Sequence, residues 1–465
     1  MDDRTSQNSI PDDCPRCREL EREVAKLREQ LARLEELFEK SQRAGKRQAA
    51  PFRKNKQAAP PQKPGRKSGD EHGRHAHREI PQPDQIDERY DAPLPESCPH
   101  CGSEELLEQS VRQQYQTEIP RRPILRQFNV HLGCCQDCGK AVRGRHELQT
   151  SDAFGAASSQ LGADLHAIMM ICNKELGLSH GKVCKLFERL FGIKLSRSTS
   201  IRRQLKMADK LLPSYGEIGS HVRGSPWVVC DETGWRVEGE NAWLHDFVTD
   251  QATLYWIDAT RNSEPAKAVL GEDYSGVMVH DGWSVYDQFT LARHQQCLAH
   301  LLRRCHEMIE TATASAARFP RAVQDLLQRS LGFRDRFREG TLTRRGLKIF
   351  AGRLLNELHR LVSRKKRNRA NERFAKHLRK HAESLFTFLL MPEVDATNWR
   401  AEQAIRPAVV NRKVWGGNRT WDGAHVQSIV SSVLVTCGQQ GLDALDFLSG
   451  NLKSRQPITI PIATR

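Results

Sequence analysis

The sequence lacks any run of 18 apolar residues, and its beginning, MDDRTSQNSIPDD, is acidic and polar. A membrane-spanning helix needs about 20 apolar residues, and a secretory signal starts with basic residues before an apolar core. We therefore expect no membrane partner and a cytoplasmic location. Acidic residues are also in deficit, because 57 Asp and Glu stand against 72 Lys and Arg, giving a net charge of +15. This excess favours a polyanionic partner, most often nucleic acid.

Structural disulfides are not expected either. The 13 cysteines are odd in number and several form Cys-x-x-Cys pairs, which in an unexported protein favours zinc. Two of these pairs are followed by glycine, in CPHCG and CQDCG, and each can hold one side of a tetrahedral ion. The glycine supplies the positive φ that such a turn needs. We predict a zinc-ribbon domain over 98–145, with Zn²⁺ bound by Cys98, Cys101, Cys135 and Cys138.

The first 97 residues contain a short apolar repeat and a basic linker. Apolar residues over 18–40 alternate spacings of four and three, which predicts a coiled coil and self-association into a homo-oligomer. The alternative is an amphipathic helix packed on the protein's own core. Residues 41–97 are rich in Pro, Lys and Arg, which predicts a disordered linker attracted to phosphate backbones, or a solubilising spacer. Cys14 and Cys17, ahead of the repeat, are a weak zinc signal.

Residues 156–215 have helical periodicity. A helix, a short turn and a second helix with basic residues facing outward are typical of a helix-turn-helix DNA-binding region. A plain helical bundle is the alternative. The predicted DNA contacts are Arg197, Arg202, Arg203 and Lys206.

From Pro226 the pattern changes to strands. Three β-like runs, a helix at 263–270 and a fourth strand, GVMVHDG, are the opening of a ribonuclease-H-like α/β domain. We predict a multidomain α+β protein with this domain at 222–450, a basic helical insertion at about 301–390, and a tail at 451–465. Asp231 in the first strand and Asp281 after the fourth should be neighbours. In a predicted helix start at 295–304, Cys297 and His300 are either a zinc pair or a core thiol and a packed histidine.

The stretch 398–420 reads as a helix that Pro407 should kink or restart. Asn398, Glu402 and Arg406 share one face, beside an apolar face that could pack on a sheet. An acid among cations suits metal and phosphate binding, whereas a solvated face with a Glu402–Arg406 ion pair is the alternative. The predicted DNA contacts here are Arg406, Arg412, Lys413 and Arg419.

Asp231, Asp281 and Glu402 occupy the order and places of the acidic triad of ribonuclease-H-like polynucleotidyl transferases. Two Mg²⁺ ions about 3.5–4 Å apart can stabilise the attacking and leaving oxygens of a phosphoryl displacement. Carboxylate oxygens are the ligands that Mg²⁺ prefers.

The blocks DETGW, MVHDGW, QCLAHLLRR and NWRAEQAIRPAVVNRKVWGGNRT, with the CPHCG knuckle and the coiled coil, resemble the transposases of bacterial insertion sequence 66. The resemblance implies cleavage and strand transfer of DNA by a DDE triad, carried here by Asp231, Asp281 and Glu402 with Mg²⁺ or Mn²⁺. It also implies terminal inverted repeats and target DNA as partners, a nucleoid-associated location, and accessory proteins of the same element. The rival functions are a DNA-binding regulator with an inert catalytic domain and a structure-specific nuclease.

Overall fold

The computed structural model describes residues 23–25, 28–30, 80–120, 122–154, 160–313 and 315–463. The chain divides into two compact units, Met1–Pro120 and Arg121–Arg465. In the first unit, 23–25 and 28–30 are helical. The rest of the predicted coiled coil, the 14–17 cysteine pair and the linker up to 79 lie outside the described residues. Within the described ranges, no helix combines the length and apolarity needed to cross a membrane.

The second unit is built on a five-stranded mixed sheet. Its strands follow two short strands, β1 (Leu132–Cys134) and β2 (Ala141–Arg143), which pair antiparallel. The five strands are β3 (Trp227–Val237), β4 (Glu240–Val248), β5 (Thr253–Asp258), β6 (Val277–His280) and β7 (Arg293–Gln296). Their order in the sheet is β5-β4-β3-β6-β7, with antiparallel pairing from β3 to β5 and parallel pairing from β3 to β7. The three-strand meander, the helix and the fourth strand thus follow in the predicted order.

Strand β7 was not predicted, because its polar sequence RHQQ reads as the start of a helix. Gln295 and Gln296 are buried within it. The Gln295 side-chain amide donates to the Leu385 carbonyl at 3.2 Å, and its oxygen accepts from the Phe388 amide at 3.0 Å. These bonds to the insertion satisfy a polar side chain that hydrophobic patterning cannot place in a core.

Helices cover both faces of the sheet. Along β3, Val228 and Cys230 point into the core on one face, and Val229 and Trp235 point into two smaller clusters on the other, as the period of two in a strand requires. The helices are α1 (Ala163–Met170) with a π-helical extension (Ile171–Glu175), α2 (His180–Phe191), α3 (Arg197–Gly224), α4 (Glu264–Leu270), α5 (Leu298–Thr311), α6 (Arg318–Arg338), α7 (Arg344–Ser363), α8 (Arg369–Lys380), α9 (Thr387–Leu390), α10 (Trp399–Trp415), α11 (Trp421–Gln439) and α12 (Ala444–Lys453).

Helix α3 spans both the predicted helix-turn-helix region and the start of the predicted catalytic domain. It begins after Ser196, whose hydroxyl accepts from the Thr199 amide, as a serine N-cap should. Its second half buries Leu211, Ile218 and Val222 in the core that also holds strand residues of β3 and β4.

The helical insertion runs from α5 to α9 and has its own core. Leucines and phenylalanines from all of its longer helices meet there, including Leu326, Leu354, Phe374 and Phe388. Because this core is separate from those on the sheet, the insertion adds a helical layer without interrupting the strand order.

Candidate active site

Two adjacent parallel strands bring Asp231 and Asp281 together. The register pairs Trp227 with Val277 and Val229 with Val279. Continued by two residues, the same register sets Asp281 beside Asp231, where β6 has just ended. Asp281 is held by the Trp283 amide, which donates to its Oδ1 at 2.8 Å. The sequence prediction that these two acids are neighbours is consistent with this register.

Helix α10 carries Glu402 to the same region. Ala401 and Ile405 are buried against the sheet, and this packing fixes the helix on β3 and β4. Pro407 lies inside a continuous helix rather than dividing it. Glu402 lies in the first turn with its side chain 42% exposed, and its Oε1 lies 3.8 Å from His300 Nε2. Glu402 therefore contacts His300, and Arg406 is exposed.

The end of α10 is anchored on β3 by a turn at Gly416 and Gly417. Gly416 and Gly417 both adopt positive φ, and a Cβ on Gly417 would lie 2.4 Å from the Arg236 carbonyl oxygen. The next residue, Asn418, donates its amide to that same oxygen at 2.9 Å and accepts from Trp235 Nε1 at 2.8 Å. Only glycine permits this close approach.

The three acids influence one another electrostatically. The pKa of Asp231 is raised to about 8, mainly by burial and also by the negative charges of Glu232, Asp281 and Glu402. The Glu232 amide, which donates to Asp231 Oδ1 at 2.9 Å, opposes this rise. A carboxyl whose charge is disfavoured by three neighbouring acids is a typical feature of a functional site.

The sequence of this region matches the family described as Transposase IS66 family over residues 158–426. The match spans more than half of the chain and includes all three acids. The chain belongs to the IS66 transposase family. No curated protein matches the chain.

Two further acids of this IS66 transposase were missed by sequence reasoning. Asp246 pairs across β3 and β4 with Asp231, is fully buried, and accepts from the Asp231 amide at 3.0 Å. Its other oxygen has no hydrogen-bond partner among the described residues, and burial raises its pKa well above the usual range. The only indication of Asp246 in the sequence is that an acidic residue stands at an inward-facing position of a predicted strand.

Glu232 is the other acid, and it is bound by an arginine. Arg261 Nη2 lies 2.7 Å from Glu232 Oε1. The guanidinium also lies 4.5 Å from the ring centroids of both Trp243 and Trp283. Tyr286 donates to the other Glu232 oxygen at 3.3 Å. This network joins the DETGW strand to the segment after Asp281.

The predicted DNA-contacting cations have two different environments. Arg412 is 8% exposed, donates to Thr233 Oγ1 at 3.3 Å, and has a buried Nε without a partner among the described residues. It therefore lies against the strand of Asp231, and burial lowers its pKa. The other seven are exposed or half-buried, namely Arg197, Arg202, Arg203, Lys206, Arg406, Lys413 and Arg419.

The two cysteine knuckles have the same backbone pattern. In the first unit, the Gly102 amide donates to the Cys98 carbonyl at 2.8 Å; in the second, the Gly139 amide donates to the Cys135 carbonyl at 2.9 Å. Both glycines have the predicted positive φ. Backbone N–H groups near the sulfurs lower the pKa of Cys98 and Cys135. Within the described ranges, no group of three or more His, Cys, Asp or Glu side chains is arranged to hold a metal.

Proposed function

We propose that this transposase cleaves the ends of its own element and transfers them to target DNA, using Asp231, Asp281 and Glu402 with two Mg²⁺ or Mn²⁺ ions. The observation that carries the proposal is the gathering of three acids, from β3, the end of β6 and α10, around a buried Asp231. An ordinary protein interior avoids such a cluster, because each carboxylate raises the cost of charging the next.

The donor set fits a hard divalent cation. Every side chain of the triad offers carboxylate oxygens, which are the ligands of Mg²⁺ and Mn²⁺. Asp246 adds a buried carboxyl oxygen without a partner among the described residues. Like charges repel, so the three carboxylates are expected to close to coordination distance only when cations neutralise them. When bound, the ions would supply a Lewis acid for the transferred phosphate.

The protein's own groups then have separate tasks. Asp231, Asp281 and Glu402 would hold the cations, while the Arg261–Glu232 pair keeps the segment after Asp281 in place. Arg412, beside Thr233, is placed to contact a backbone phosphate near the acids, because a buried guanidinium needs an anion. The exposed cations of α3 and α10 would hold more distant phosphates, and this binding should weaken with salt.

Two proposals concern the N-terminal part. We infer that Zn²⁺ binds Cys98, Cys101, Cys135 and Cys138, supported by the two matching knuckles. The purified chain should contain stoichiometric zinc, and the Cys98→Ser with Cys138→Ser double variant should lose it.

We also infer homo-oligomerisation through 18–40, which rests on the apolar spacing of that segment alone. An unchanged sedimentation coefficient for the Leu27→Lys with Leu34→Lys double variant would refute it. Accessory proteins of the same element remain proposed partners.

The triad is tested by comparing cleavage and binding in Asp231→Asn, Asp281→Asn and Glu402→Gln. The substrate is a plasmid that carries the chain's gene with its flanking genomic DNA. Each variant keeps its size but loses a metal ligand, so cleavage should fall by at least about 100-fold, the effect of ~2.7 kcal/mol of transition-state stabilisation. DNA affinity in gel shifts should stay the same or rise slightly, since a repulsive charge is gone.

The matched control is Glu357→Gln. Glu357 is a glutamate of the insertion that pairs with Arg329 at 2.6 Å, and its loss should leave cleavage unchanged. Normal cleavage by Glu402→Gln would refute the assignment and direct attention to Asp287 or Asp422. Loss of DNA binding in all three triad variants would favour a structural role and the DNA-binding regulator. Cleavage without strand transfer by the parent protein would favour the nuclease.

A further inference from the structure

The segment Cys297–His300 lies where the strand of Asp281 meets the helix of Glu402. The Cys297 amide donates to the carbonyl of His280, the residue before Asp281, at 2.7 Å. The next amide, of Leu298, donates to the Ala396 carbonyl at 2.9 Å, just ahead of α10. Two consecutive residues thus connect the end of β6 to the residues just before α10.

The Cys297 side chain makes a further link. It is fully buried. Burial raises the pKa of its thiol, while backbone N–H groups of Asn398, His300 and Ala299 interact with the sulfur and lower it. Since Asn398 immediately precedes α10 and the other two open α5, the sulfur lies near the starts of both helices.

Polar atoms without partners surround this junction. The buried His300 Nδ1 has no hydrogen-bond partner among the described residues. The same is true of both polar side-chain atoms of Asn398, which is fully buried one turn before Glu402. A buried polar atom without a hydrogen-bond partner is unfavourable for folding. Three such atoms beside one catalytic acid point to an arrangement completed only in the working site.

We propose that Cys297 and His300 position Glu402, with the Cys297 backbone holding the end of β6, the Cys297 thiol holding the start of α10, and His300 Nε2 orienting the Glu402 carboxylate. This inference rests on the proposed catalytic role of Glu402. At 3.8 Å, a small rotation of either side chain brings Nε2 and Oε1 to hydrogen-bond distance. The bond would fix which carboxylate oxygen faces Asp231 and Asp281. His300 is thus a positioning residue, acting through Glu402.

A zinc pair is the alternative role for these two residues. A zinc site needs deprotonated thiolate and usually four ligands. The thiol is fully buried and burial raises its pKa, which disfavours the thiolate that zinc needs. The contacts therefore favour positioning over a structural zinc ion.

The test compares His300→Ala, His300→Gln and the control His306→Ala in the full-length protein. His306 lies on the same helix and pairs with Glu310 at 3.1 Å on the surface. Cleavage of the same plasmid is followed over a range of Mg²⁺ concentrations, with DNA binding measured in parallel. Removing a group that orients a metal ligand typically costs 10–100-fold in metal affinity or activity.

We expect His300→Ala to raise the Mg²⁺ concentration for half-maximal cleavage by about 10-fold or more, with unchanged DNA affinity. Glutamine can donate from a similar position, so His300→Gln should recover part of the loss, and His306→Ala should match the parent. Parental Mg²⁺ dependence in His300→Ala, or bound zinc that disappears in Cys297→Ala, would overturn the inference. Glu402→Gln run alongside separates the two claims, because its normal cleavage would instead refute the proposed function.

Discussion

The region around Asp231 and the helical insertion follow opposite rules for which side chains are buried. In the insertion, the core is built mainly of apolar side chains, and charges such as Arg329 and Glu357 lie on the surface and pair at 2.6 Å. Around Asp231, carboxyls are buried together, and Asp246 keeps an oxygen without a partner among the described residues. Both regions belong to the same unit, so the contrast lies within one folded body.

The difference indicates what each region contributes. A core of leucine and phenylalanine stabilises the fold without any bound ligand. Buried acids and cations reduce stability, and they are retained where a ligand or reaction needs them. On this view, mutations in the apolar core of the insertion should change stability and leave the chemistry intact. Mutations around Asp231 should change the chemistry and leave stability equal or higher.

The largest effect on stability is expected from Phe388→Ala in the insertion. Phe388 is fully buried among leucines of α6 and α7, so its truncation should lower the free energy of unfolding by about 3–5 kcal/mol. Urea unfolding of variant and parent measures the difference. Phe350→Ala is the control, because Phe350 stacks on Phe333 with a centroid distance of 4.0 Å outside that buried set. If the two variants lost equal stability, the insertion would have no distinct core.

The sequence predicted the strand meander, the place of Asp281 and the helix of Glu402. These depend on local periodicity and on the parallel pairing of two apolar strands, both visible in the letters. It missed β7, since Gln295 is buried through hydrogen bonds to residues about 90 positions away. It also placed Arg412 with the surface cations, because helical spacing does not show that Thr233 of β3 lies against it. A single sequence does not show polar contacts between residues that are far apart in the chain.

Lys174 offers a smaller and more specific test of the comparison. It lies in the π-helical turn after α1, is 6% exposed, and has its ammonium 5.7 Å from the Trp415 ring. Its carbonyl accepts from Asn411 Nδ2 at 2.9 Å, so the turn packs on the end of α10. Burial lowers the pKa of Lys174 to about 7. A π-helical turn is frequent at functional sites, and this one holds a cation at a cost in stability.

The pH dependence has a definite sign. Between about pH 7 and 10.5 the unfolded chain binds a proton at Lys174 that the folded chain lacks, so stability rises with pH across that window. Below pH 7 both the folded and the unfolded chain are protonated at Lys174, and the pH dependence of stability ends.

Lys174→Met should therefore be more stable than the parent at pH 7, by on the order of 3 kcal/mol. The gain should shrink toward pH 10, and urea unfolding at both pH values measures it. Lys182→Met, at an exposed site on α2, should show neither change. A loss of stability in Lys174→Met at pH 7 would mean that its contact with Trp415 outweighs the cost of burial, and that this part of the molecule follows the same rule as the insertion.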